Sequence, residues 1–195
     1  MVRELAEAEG IEHVRPGAGK PEHPSAGPGL RPGDFILTHG SHWTSRLIRV
    51  GQALRFRGRN RKYAHWNHAA LVVGAGGGII EALGPSPGVV QQDISKYAPR
   101  EYTIVRIRAS PEDRDEAVGF ARACLGEKYG VLTIVSIAIS LLTGTRFSFG
   151  FDGQMICSGL VARALERTRA IFTKEPSHIM PADLARAYHV DPPEP

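Results

Sequence analysis

The stretch His68-Ala69-Ala70-Leu71-Val72-Val73-Gly74-Ala75-Gly76-Gly77-Gly78-Ile79-Ile80-Glu81-Ala82-Leu83 reads as two short apolar strands joined by a glycine-rich turn. Glu81 is the odd residue in it. A carboxylate among Ile79, Ile80, Ala82 and Leu83 needs a partner or an edge position, because an unpaired buried charge is costly. His68 can be that partner if the turn has an even number of residues. With Gly74-Ala75 as a two-residue type II′ turn, glycine first, His68 falls directly across from Glu81. A four-residue loop sets Glu81 opposite Ala70, on the same face and diagonal to His68, whereas a three-residue loop sends the two side chains to opposite faces.

Working outward, Asp34-Phe35-Ile36-Leu37-Thr38, the run from 89 to 94 and the run from 102 to 108 read as further strands. A helix is expected over 43–54, with Leu47, Ile48, Gly51 and Leu54 on one face. Ser110-Pro111-Glu112-Asp113 opens another helix, with an N-cap, proline at its first position and acids in its first turn. Its stripe is Ala117, Val118, Ala121, Cys124 and Leu125, and Gly126 closes it, so Cys124 reads as packing. An apolar helix is expected over 131–142, too short to span a bilayer, and a last short helix starts at Pro181. Strands gathered in the first half and helices in the second make the fold class α+β.

The other residue of interest is Cys157, in Gln154-Met155-Ile156-Cys157-Ser158-Gly159-Leu160-Val161. It begins a helix whose buried face is Leu160, Val161, Ala164, Leu165 and Thr168. Unpaired N–H groups and the helix dipole stabilise an anion there, so a thiol in this place ionises readily. A cysteine in an apolar stripe is by itself more often packing. What distinguishes Cys157 is a histidine that can serve as base and an acid that can orient the histidine ring.

These residues carry a resemblance. His68 to Gly74, Ile79-Ile80-Glu81-Ala82-Leu83-Gly84 and Gly88-Val89-Val90 resemble the histidine hairpin of NlpC-type papain-like cysteine hydrolases, and Cys157-Ser158-Gly159-Leu160-Val161 resembles their cysteine helix. Histidine before cysteine is the order of the circularly permuted, YiiX-like branch, which also opens on a Gly-Asp strand like Gly33-Asp34-Phe35-Ile36. The resemblance implies a permuted papain-like fold with a small antiparallel sheet packed against helices. It also implies Cys157 as nucleophile, His68 as proton shuttle, Glu81 as orienting acid and the Cys157 backbone N–H as an oxyanion donor. The implied substrates are cell-wall stem peptides or lipid acyl bonds, with no cofactor and no metal. Gly159 departs from the pattern, since that branch usually has glutamate there.

The catalytic domain is expected over residues 31–188, between a flexible Pro/Gly-rich tail (1–30) and a short C-terminal tail (189–195). Net charge is +4, and seven Arg or Lys lie between Arg46 and Lys62 without one acid. That stretch is a solvated face or the contact for an anionic partner, and nothing in it resembles a nucleic-acid motif. Two cysteines form no disulfide framework, and the acidic N-terminus lacks the apolar core of a signal peptide, so the expectation is a cytoplasmic protein or one released without Sec export, as by phage or lysis. Alternatives are a non-catalytic papain-fold binding module or particle component, a thiol acyltransferase, and a zinc site. The zinc reading rests on His39, His42, His65 and His68 with Asp34 or Glu81. It is weakened because residues three apart on a strand face opposite ways.

Overall fold

The structure, a computed structural model, describes residues 8–14, 30–39, 52, 55–83, 88–98, 100–129, 154–155, 157–170, 172 and 175–193. The expected helices over 43–54 (apart from Gln52) and 131–142, and the basic positions from 46 to 54, lie outside these residues. Six strands form one antiparallel sheet: β1 (Ala8–Val14), β2 (Phe35–Thr38), β3 (His68–Val72), β4 (Gly78–Leu83), β5 (Gly88–Asp93) and β6 (Tyr102–Ile107), in the order β1-β6-β2-β3-β4-β5. A separate parallel pair joins β7 (Lys128–Tyr129) to β8 (Gln154–Met155). The helices are α1 (Pro111–Ala123), α2 (Cys157–Glu166) and α3 (Pro181–Ala187). The class is α+β.

Both faces of the central sheet are buried, which is why Phe35-Ile36-Leu37 and Ala69-Ala70-Leu71-Val72 are continuous apolar runs rather than alternating ones. One face, with Phe35, Leu37, Ala69, Leu71, Ile80 and Val105, packs against the helices. The other, with Ile36, Ala70, Val72, Ile79 and Ile104, is covered by Leu30, Ile94, Tyr97 and Tyr102. α2 packs on β3 and β4, and its Leu160, Val161, Ala162, Ala164 and Leu165 belong to the core on this side of the sheet. The Ser110 hydroxyl accepts from the Asp113 N–H at 3.1 Å, capping α1, and Gly126 follows with φ +85°. Leu125 is not part of the buried stripe: it is 41% exposed beyond the end of the helix.

A buried ion pair ties three elements together. Asp34 Oδ1, fully buried, accepts from Arg114 of α1 at 2.8 Å and from the Ile107 N–H of β6 at 3.1 Å. The same guanidinium donates to the carbonyls of Pro32, at 3.0 Å, and Ile107. Gly33 is required beside it, since its φ is +90° and a Cβ there would stand 3.0 Å from Arg114 Cγ. The Gly-Asp pair that opens β2 is thus a structural knot.

Two expected tails need correction. Ala8–Val14 is not loose chain but an edge strand, antiparallel to β6. It is held by the backbone ladder and by polar pairs: Glu12 with Arg106 at 2.6 Å, Glu9 with Arg31 at 2.9 Å, and His13 with Thr103 at 2.7 Å. Little apolar surface is buried along it, so the hydrophobic pattern that marks strands is missing. At the other end, Val190 is fully buried and its carbonyl accepts the Trp66 indole N–H at 3.1 Å. The expected C-terminal tail therefore begins inside the core. Among the described residues, no helix is long and apolar enough to cross a membrane.

Candidate active site

The turn between β3 and β4 decides where Glu81 points. The Val73 N–H donates to Gly78 O at 2.8 Å and the Gly77 N–H to Gly74 O at 3.1 Å, with Val72 against Ile79 and Leu71 against Ile80. The loop is therefore Gly74 to Gly77, four residues. The two-residue reading is corrected, and its four-residue alternative describes the hairpin. The reason is tertiary. Gly77 takes φ +99° where a Cβ would meet Ile94 Cγ2 at 3.0 Å, and its carbonyl accepts the Ile94 N–H at 2.8 Å. Any of the clustered glycines can adopt a positive φ, so only this contact chooses among them.

Continuing the register sets Glu81 against Ala70, with His68 one diagonal step away on the same face. Glutamate is long enough to close that step. The Glu81 carboxylate, fully buried, meets His68 Nε2 through Oε2 at 2.7 Å. Two further donors complete its shell: the Tyr97 hydroxyl to Oε2 at 2.5 Å and the Lys96 ammonium to Oε1 at 2.5 Å. Burial alone would push this carboxyl up. The His68 bond and charge, then Lys96 and Tyr97, override it and hold the group down at about 2. Burial, followed by the charge and bond of Glu81, pushes the Tyr97 phenol far above its ordinary value, so it stays a neutral donor.

Cys157 is the first residue of α2 and is 1% exposed. The His68 imidazole, by its charge and as a hydrogen-bond partner, and then the backbone N–H groups of Ala69 and Ser158 favour the anionic form of its sulfur. Because Nε2 of the imidazole is committed to Glu81, Nδ1 is the nitrogen left for the thiol. Burial works against charge on both partners, but each charge outweighs that on the other. The thiol is brought below its usual value, and His68, through the charge and bond of Cys157 and then of Glu81, is raised to about 10. Both shifts favour the thiolate and imidazolium forms over the neutral pair. As the first helical residue, Cys157 presents an N–H with no acceptor inside the helix. The neighbouring Ser158 hydroxyl is occupied, donating to Ile179 O at 2.5 Å.

Cys124 has none of this. It caps α1 from inside the core, and burial followed by the Glu127 charge pushes its thiol up to about 11. The histidine pairs also separate: the rings of His39 and His65 stack 4.4 Å apart, His65 Nε2 meets Glu101 at 2.5 Å, and His68 turns toward Glu81 and Cys157. His42 lies outside the described residues. Among the described residues, no group of three or more His, Cys, Asp or Glu side chains is arranged to hold a metal ion.

Lys96 and Tyr97 are the site residues that sequence reasoning misses, because the apolar run from 89 predicts a strand continuing to Ile94. The chain instead leaves β5 at Asp93 and turns through a 3-10 segment (Ile94–Tyr97), where the Asp93 side chain accepts the Ser95 N–H at 2.8 Å. The Asp-x-Ser spacing is the signal that could have revealed it. The chain matches no protein-family model, and no curated protein matches it.

Proposed function

We propose that this protein is a papain-like cysteine hydrolase of the permuted NlpC type, in which Cys157, His68 and Glu81 cleave an amide or ester bond. The observation that carries the reading is one imidazole held between a thiol and a buried carboxylate, with the thiol drawn down and the imidazole drawn up by each other's charge. Neighbours that draw a buried thiol toward its anion and a buried imidazole toward its cation supply what a covalent acyl-transfer mechanism uses.

In the proposed cycle the Cys157 thiolate attacks the scissile carbonyl, and the Cys157 N–H at the start of α2 stabilises the oxyanion. His68 gives its proton to the departing nitrogen or oxygen as the carbon–heteroatom bond breaks, leaving a thioester. Neutral His68 then takes a proton from water, the hydroxide attacks the thioester, and the carboxylic acid leaves as the thiol is regenerated. Glu81 keeps Nδ1 of the ring directed at sulfur throughout.

Two sets of measurements test this. Alkylation of Cys157 by iodoacetamide should greatly exceed that of Cys124, and should fall by about a hundredfold or more in His68→Ala. It should slow on the acid side as the thiolate takes up a proton, and change again near pH 10 as His68 loses its own. Equal labelling of the two cysteines, indifferent to His68→Ala, would leave the fold as a binding module instead. Hydrolysis of peptidoglycan stem peptides compared with acyl lipids then assigns the bond, and Cys157→Ala should lose about 10⁴-fold or more on whichever is the substrate.

A further inference from the structure

Glu81 carries one more cation than a cysteine, histidine and acid require. Lys96 comes from the 3-10 turn after β5, and its ammonium reaches Oε1, the oxygen that His68 and Tyr97 leave open, at 2.5 Å. Its side chain is 31% exposed, while the carboxylate it meets is fully buried. When the Cys157–His68 pair is ionised, charges alternate along a line from the thiolate of Cys157 through the imidazolium of His68 and the carboxylate of Glu81 to the ammonium of Lys96. Without the lysine the buried members sum to one negative charge. With it they sum to zero, the arrangement that makes burial of several ions tolerable.

We propose that Lys96 is a positioning residue whose charge, rather than its hydrogen bond, sets the pH range in which Cys157 stands as thiolate beside a protonated His68. The proposal rests on the catalytic reading above and adds to it the group that fixes its working pH. The direction follows from the sign of the charge. Removing a cation makes the potential at both titrating groups more negative, so the thiol holds its proton to higher pH and the imidazolium does too. Both edges of the window move toward alkali. Of the other polar groups facing the line, Tyr97 from the same turn stays neutral, Tyr102 of β6 lies behind it with ring centroids 6.5 Å apart, and Arg100, whose charge reaches Tyr97, keeps that charge when Lys96 is substituted. Thr38, paired with His68 across β2, is uncharged.

The test is a pH titration of Cys157 alkylation and of ultraviolet thiolate absorbance, in a Cys124→Ala background. Lys96→Gln keeps an N–H donor, one bond shorter, but loses the charge, and Lys96→Met loses both, whereas Lys96→Arg alone keeps charge and donor at full reach. Each should move both edges up by about one pH unit, a tenfold change in thiolate fraction on the acid edge. Lys96→Arg keeps the charge and should leave both edges in place. Either uncharged variant suffices if the other does not fold. A titration of Lys96→Gln or Lys96→Met that overlays the unsubstituted background, or an equal shift in Lys96→Arg, overturns the proposal while leaving the catalytic reading intact. A Cys157 that titrates as an ordinary thiol with Lys96 in place overturns both.

Discussion

Asp34 and Glu81 are both fully buried carboxylates at the sheet, and each is satisfied by a cation and further N–H or O–H donors. Their partners separate them. Asp34 faces a guanidinium and backbone amides, groups that keep their protons at any accessible pH. Glu81 faces an ammonium, a phenol that stays neutral, and an imidazole that can exchange its proton with the Cys157 thiol. The same burial thus produces a fixed joint in one place and a contact with a titrating imidazole in the other. What decides the outcome is whether the carboxylate's partners can titrate.

Breaking the joint should have the largest effect on stability. Arg114→Met leaves Asp34 buried and unpaired and frees the carbonyls of Pro32 and Ile107, so unfolding in urea should show a loss of about 3–5 kcal/mol. The folded fraction should keep Cys157 alkylation within about twofold of the original. A large loss of reactivity without a loss of stability would erase the distinction between the two carboxylates.

Glu81→Gln probes the other side. The amide keeps the shape and an acceptor oxygen but loses the charge that favours imidazolium, so alkylation of Cys157 at neutral pH should drop by about tenfold to a hundredfold. Stability carries a second signature. Because Glu81 is held at about 2 in the folded protein against an ordinary 4.5, its contribution is present above pH 4.5 and is lost as the pH falls toward 2. Glu81→Gln should remove that part of the acid dependence of unfolding. Gly33→Ala is the gentlest of the three: with φ +90° and a close approach to Arg114, it should cost about 1–3 kcal/mol and leave Cys157 reactivity untouched.

Features whose signal is local are legible in the sequence. The Ser110 cap, the apolar runs of β2 to β4, the stripe of α2 and the parity condition on the hairpin each depend on neighbours a few positions apart. Long-range partners are not legible in this way. Gly33-Asp34 stands out as a motif, yet its reason is Arg114, 80 residues on. β1 carries no strand pattern because ion pairs and a backbone ladder hold it in place of apolar alternation. Lys96 and Tyr97 are hidden by one Asx-type turn at Asp93. For the site itself, the types and order of Cys157, His68 and Glu81 can be read from the chain, while the turn length and the full shell around Glu81 are set by Ile94 and the segment after it.

The knot at Asp34 also bears on how the chain is made. Its acceptors wait for donors 73 and 80 residues further along, so at roughly 5–20 residues per second a ribosome exposes β2 several seconds before anything can neutralise the carboxylate at its head. Over that interval, burying β2 in a partial sheet would strand a charge in apolar surroundings. The carboxylate therefore opposes premature closure of the nascent sheet, and the synthesis of Arg114 removes the opposition. In the finished protein it is a lock; during translation it is a timer.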